Sequence, residues 1–217
     1  MLAYVFWHRP LDETETAAYE QAQIAFHRSL AHSPPVGLRG SAAFRVAEMP
    51  WLPPAAGNDA ERARTGAQTG GAGYEDWYLV EDYAALGVLN EAAVGRGHRG
   101  AHDELARRFG SGAGGLYGLI EGDWPEIGRS PGAGVPGEAS VVVWVARPPG
   151  SARRELGELL GDGMDPLRSS LWRRQLVFGP APEFCLLAPE PPAGVAPTRL
   201  PADWTATVLV REVLWSG

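Results

Sequence analysis

Tyr4-Val5-Phe6-Trp7-His8-Arg9-Pro10 is an apolar run closed by Arg-Pro, and Val142-Val143-Trp144-Val145-Ala146-Arg147-Pro148 repeats that form in the second half of the chain. Each precedes a stretch with helical patterning, so both read as a strand entering a helix. Working outward from the first copy, residues 2–8 are a strand. Thr14 to Ser33 carries Tyr19, Ala22, Phe26 and Leu30 at helical spacing, and 38–48 returns to strand character. Asp76 to Val80 reads as a strand. Residues 82–94 and 101–109 read as helix parted by Gly95-Arg96-Gly97-His98, and Gly115 to Glu121 as a strand. From the second copy the order is strand 139–147, helix 151–160, strands 169–178 and 183–188, a Pro-rich stretch, and strand 204–214.

The first half is thus β-α-β-β-α-β and the second repeats it with less material. Split βαβ units of this kind are ferredoxin-like, with helices on one face of an antiparallel sheet and the other face open. Two open faces can cover each other. The expected fold is α+β, a tandem ferredoxin-like pseudo-dimer whose sheets pack face to face as an α+β barrel around a shared cavity. Its first domain spans 1–121 with the Pro/Gly/Ala-rich loop 50–73 inserted, its linker 122–137, and its shorter second domain 138–217.

Composition narrows the chemistry. All 19 basic residues among the 217 are Arg, so no side-chain amine exists for a Schiff base, a pyridoxal phosphate anchor or a phosphate-loop lysine. The single Cys185 excludes an intramolecular disulfide and a Cys-based metal site. A net charge of −7 argues against nucleic acid or an anionic membrane as partner. The first residues have neither a basic n-region nor a long apolar run, so cytoplasmic residence is expected. The expected partner is a small-molecule ligand, and the chain is expected to be a monomeric pseudo-dimer or a homodimer.

Arg9-Pro10, Tyr19 and Phe26-His27-Arg28-Ser29-Leu30 resemble the opening of the dimeric α+β-barrel proteins, the EthD-like family in particular. The resemblance covers mainly the first thirty residues and departs from the family in lacking a Pro after the helix His. It implies a superfamily of cofactor-independent monooxygenases, polyketide cyclases, isomerases and dehalogenating enzymes, with haem-binding tandem relatives.

Within this frame His8 and Arg45 are the candidate catalytic residues. Strand alternation puts Tyr4, Phe6 and His8 on one face and Ala3, Val5 and Trp7 on the other. The small residues suit helix packing, which assigns the His8 face to the cavity; the letter match sets Ala146 opposite His8, so one half alone holds a titratable group there. Imidazole suits a general base. Arg45, and Arg173 or its neighbour Arg174, interrupt apolar strands, where a guanidinium would bind a carboxylate or enolate. Trp77 or Tyr78, with Tyr117 and Trp144, would contact a planar substrate. No cofactor is required; if haem were bound, His27 would be the ligand. His98 and His102 stand four apart without a third ligand, so no metal site is expected. Gly110 to Gly115 reads as a turn. The leading function is a small-molecule enzyme acting on an aromatic or polyketide-like substrate. Its alternatives are a haem-binding tandem barrel and a non-catalytic ligand-binding or structural protein whose cavity is filled by its own Trp and Phe.

Overall fold

The computed structural model describes residues 1–47, 49–52, 73–95, 97–122, 139–147, 169–177, 182–188, 200 and 203–217. The expected helix 151–160, the Pro-rich stretch before the last strand, and nearly all of the loop 50–73 and the linker 122–137 lie outside these residues. Eight strands run β1 Leu2–Pro10, β2 Leu38–Val46, β3 Gly73–Val80, β4 Phe109–Gly122, β5 Ala139–Ala146, β6 Ser170–Val177, β7 Phe184–Leu187 and β8 Thr205–Ser216. They close an antiparallel barrel in the order β1-β3-β2-β8-β5-β7-β6-β4. The first four strands are adjacent in the order β4-β1-β3-β2 and the last four as β8-β5-β7-β6, so both quartets use one arrangement.

A barrel of eight strands has an interior just wide enough for side chains to fill. Here Trp7, Trp77, Trp144, Trp172 and Tyr117 fill it, with Ala3, Val5, Phe44, Val142 and Leu209 between them. Trp7 and Trp144 meet edge to face at 5.0 Å, and Trp77 and Trp172 at 5.7 Å. Met49 and Leu52 are buried in the same cluster, and the ring of Trp51 packs edge-on against Trp7 and Trp144. At the centre stands Glu75 of β3, fully buried. Its Oε2 accepts from the indoles of Trp7 and Trp144 at 3.0 Å each. Its Oε1 accepts from Trp77 at 2.8 Å and from Arg211 of β8 at 2.7 Å. Arg211 in turn lies 3.9 Å from the Phe44 ring centroid. The charge is therefore neutralised inside and its lone pairs are taken.

This filling corrects the expected shared cavity. Ala3, Val5 and Trp7 face the barrel interior, which holds protein, while Tyr4, Phe6 and His8 face outward beneath helices. The letter match between β1 and β5 also misleads by one residue. It pairs Trp144 with Phe6, yet Trp144 faces inward like Trp7, and the outward residues of β5 are Val143 and Val145. Alternation decides the face, and the Arg-Pro endings do not.

The three helices among the described residues are α1 Thr16–His32, α2 Tyr83–Gly95 and α3 Arg99–Ala106. None is long and apolar enough to cross a membrane. Asp12 starts the first of them through a short 3-10 turn, its carboxylate accepting from the backbone and hydroxyl of Thr14. The helix buries Tyr19, Ala22, Gln23, Phe26, His27 and Leu30, one stripe at helical spacing.

Replacing Glu75 with Ala strands the Arg211 charge and three indole donors inside the barrel. The expected loss is about 3–5 kcal/mol of unfolding free energy by urea titration. Glu75→Gln, which keeps one acceptor oxygen, is expected to lose less.

Candidate functional site

The outward face of β1, β3 and β4 does not meet the helices directly everywhere. Between them lies a cavity of about 670 Å³. Phe6, Phe26, Phe109, Leu86, Leu89 and Leu105 make its walls, and His8, Asp76, Tyr19, Tyr78 and Tyr4 meet at its floor. Room for the floor rings comes from β4. A Cβ on Gly112 would stand 2.7 Å from the Phe6 ring, and one on Gly114 2.7 Å from the Tyr4 hydroxyl. That glycine run is thus a strand in register with β1 and not a turn; its missing side chains are the space the β1 rings use.

Asp76 neighbours Glu75 on β3 and points the other way, under α1. It is fully buried. Its Oδ1 accepts from the Gln23 amide, and its Oδ2 from the Tyr78 hydroxyl at 3.0 Å. Nε2 of His8 lies 3.2 Å and Nε2 of His27 3.3 Å from the same Oδ2, both within ion-pair distance. The His8 contact is electrostatic more than directed, because its Nε2 misses hydrogen-bond geometry. At the far side of each ring a hydroxyl closes the chain: Tyr19 on Nδ1 of His8 at 2.6 Å, and Ser41 on Nδ1 of His27 at 2.9 Å. His27 also stacks on Tyr78, with the rings 8° apart in plane.

Burial pushes the Asp76 carboxyl up, but the imidazoles of His8 and His27 outweigh it and hold the group well below the usual carboxylate range. The phenols respond in the opposite sense. Burial and the Asp76 charge raise Tyr4, Tyr19 and Tyr78, so each is a neutral donor. A neutral Tyr19 donating to Nδ1 leaves the His8 proton on Nε2, facing Asp76. Tyr19, His8 and Asp76 therefore form a hydroxyl–imidazole–carboxylate row at the edge of an apolar cavity, the arrangement that makes an imidazole a competent base.

Of the residues expected at a site, the structure brings Tyr4, Phe6, His8 and Tyr78 together. Trp77, Trp144 and Tyr117 are separated from them by the sheet: the indoles bind Glu75, and the Tyr117 hydroxyl donates to the carbonyl of Pro182 at 2.7 Å. Arg45 also lies outside the cavity. Its guanidinium is held in bidentate fashion by Glu20 at 2.7 Å and by Glu212 at 2.6 Å, so its charge is spent on clamping α1 and β8 to β2. Arg173 pairs in register with Gly118 and Phe184, on the face opposite Trp172 and away from these residues. His27, the haem candidate, has Ser41 at one nitrogen and Asp76 at the other and is fully buried, which leaves no nitrogen for an iron. His98 is used in docking, bridging Ser29 and the carbonyl of Ser33 at 3.1 Å each. Among the described residues no three His, Cys, Asp or Glu converge as metal ligands.

Asp76, Tyr19, Gln23 and Ser41 were not singled out from the sequence as site residues. Two signals point to them: adjacent carboxylates, Glu75-Asp76, inside an aromatic strand, and the row Tyr19, Gln23, His27 at spacings of four on the buried side of α1.

An antiparallel eight-stranded barrel with helices over one outer face is now in view. The same fold is found in a crystal structure from Lactobacillus acidophilus NCFM, described as that of a "putative monooxygenase". The two share 8% identity with a TM-score of 0.50, over 97% of this chain and 93% of that one. At this identity the likeness is one of fold. No family model matches the chain, and no curated protein matches it in sequence.

Because the folded Asp76 carboxyl is depressed below its unfolded value of about 3.9, it adds stability above that pH, and this contribution is lost as pH falls. Between pH 5 and pH 2 wild-type stability is expected to drop more steeply than that of Asp76→Asn, by up to about 1.4 kcal/mol per pH unit. Urea unfolding of both proteins across that range measures the difference.

Proposed function

We propose that the protein is a small-molecule enzyme that takes a proton from a planar aromatic or polyketide-like substrate, with His8 as base and Asp76 as the carboxylate that holds the imidazolium. The observation that carries this reading is a ring-lined cavity ending on a buried imidazole–carboxylate pair. Apolar walls favour a flat hydrophobic body, and the polar floor favours one hydroxyl or enolisable carbonyl at its end. The substrate proton passes to Nδ1 of His8, directly or through the Tyr19 hydroxyl. The electron pair of the broken bond stays on the substrate as phenolate or enolate. The neutral phenols Tyr4 and Tyr19 stand at the floor to donate to that anion. Oxygenase, cyclase and isomerase chemistry can each begin from such an anion. The description of the Lactobacillus acidophilus protein is in keeping with the first, in which dioxygen is the second substrate.

The same reading takes the two strand quartets as tandem ferredoxin-like units, 1–121 and 138–217, of the EthD-like kind. Their shared strand order and the Arg9-Pro10 and Arg147-Pro148 turns support it. The indole-filled interior favours a purely structural role for the space between the sheets. Ligand chemistry is thereby assigned to the outer face alone.

Mass spectrometry of compounds released from the purified protein identifies a retained ligand. With 2-tetralone as an enolisable planar probe in D₂O, the protein is expected to accelerate deuterium uptake beside the carbonyl, followed by NMR. His8→Ala is expected to lower that rate by about 10²–10⁴-fold. Full exchange in His8→Ala, with an unchanged fold, would remove the proposed base; binding without exchange in either protein would leave a ligand carrier.

A further inference from the structure

Behind the Asp76 carboxylate the polar chain does not stop. His27 and Ser41 continue it through the sheet-facing side of α1, away from the cavity. Ser41 sits on the wall of a second groove of about 600 Å³, bordered by Arg28, Trp215 and Gly217. Neither His27 nor Ser41 lines the first cavity, and neither can touch a ligand held there. His27 is nonetheless a buried, titratable group aimed at the same carboxylate oxygen as His8. A purely structural filler at that position needs no second imidazole.

Resting on the reading of His8 as base, we propose that Asp76, His27 and Ser41 form a proton relay connecting His8 with solvent in the second groove, so that the base is reset without water entering the apolar cavity. The heavy-atom path is Nε2 of His8 to Oδ2 of Asp76 at 3.2 Å, Oδ2 to Nε2 of His27 at 3.3 Å, and Nδ1 of His27 to Oγ of Ser41 at 2.9 Å. One proton enters this chain and another leaves it. The Nε2 proton of the His8 imidazolium moves to Oδ2 and on to Nε2 of His27. The proton on Nδ1 of His27 moves to Ser41, and the Ser41 hydroxyl proton passes to water. No bond other than N–H and O–H changes, His8 ends neutral, and His27 ends as its other tautomer. The reverse sequence restores it. Tyr78 and Gln23, which donate to Asp76, keep the carboxylate oriented while both imidazoles share Oδ2. His27 is thus a positioning and relay residue, one step removed from the substrate.

The test needs no substrate. In protein labelled with ¹⁵N-histidine, NMR measures the exchange of the His8 and His27 ring protons with water. Ser41→Val removes the hydroxyl and fills its space, and is expected to slow both at least tenfold; Ser41→Thr, which keeps the hydroxyl, is expected to restore them. Ser41→Ala, read the same way, serves if valine perturbs the fold. Gly87 borders the first cavity and has open space where a Cβ would stand. Gly87→Trp is therefore expected to obstruct that cavity and leave exchange unchanged. Unaltered exchange in both Ser41→Val and Ser41→Ala, or slowing in Gly87→Trp alone, would overturn the relay and show that protons reach His8 through the cavity. Either result leaves the role of His8 to the tetralone experiment.

Discussion

Two neighbouring carboxylates on one strand, Glu75 and Asp76, set the terms for everything around them. The pleat sends them to opposite faces of β3, and both are fully buried. An isolated carboxylate in such surroundings is costly, so each must be met by donors on its own side. On the inner side the donors are three indoles and Arg211, drawn from β1, β3, β5 and β8. On the outer side they are Gln23, Tyr78 and two imidazoles, drawn from α1, β1 and β3. One peptide unit therefore ties together the barrel core and the candidate site, and neither can shift without unsettling the other.

The Arg45 clamp belongs to the same logic. Glu20 of α1 chelates Arg45 of β2 and accepts from the Tyr74 hydroxyl of β3 at 2.9 Å. These contacts fix the height and rotation of α1 over the sheet. Tyr19, Gln23 and His27 all project from that helix, so their distances to His8 and Asp76 depend on where it sits. A bidentate guanidinium–carboxylate pair holds such a position more rigidly than a single point charge would. The residue expected to stabilise substrate charge instead holds in place the helix that carries the floor of the cavity.

Element order was readable from the chain because strands and helices have different periods, and each strand among the described residues falls within a few positions of its expected bounds. The Tyr4, Phe6 and His8 face was readable for the same reason. What lies opposite each face was not. Alternation says that Trp7 and His8 diverge, but only closure of the barrel says that the Trp7 side is filled with four indoles and the His8 side is left open. Asp76 escaped notice because a carboxylate in a strand ordinarily faces water, and the partners that make it affordable inside lie 49 to 68 positions away in sequence or on another element. Arg45 misled for the same reason, since Glu20 and Glu212 reach it only in the folded chain.

Closure within a single chain has a further consequence. A barrel assembled from two identical chains repeats each outer face by symmetry, so every residue chosen for one site is imposed on a second. Here β1 to β4 and β5 to β8 come from different stretches of sequence. His8 can sit on β1 while β5 presents Val143 and Val145 on its outer face. One half is free to specialise in chemistry, and the other to complete the wall behind it.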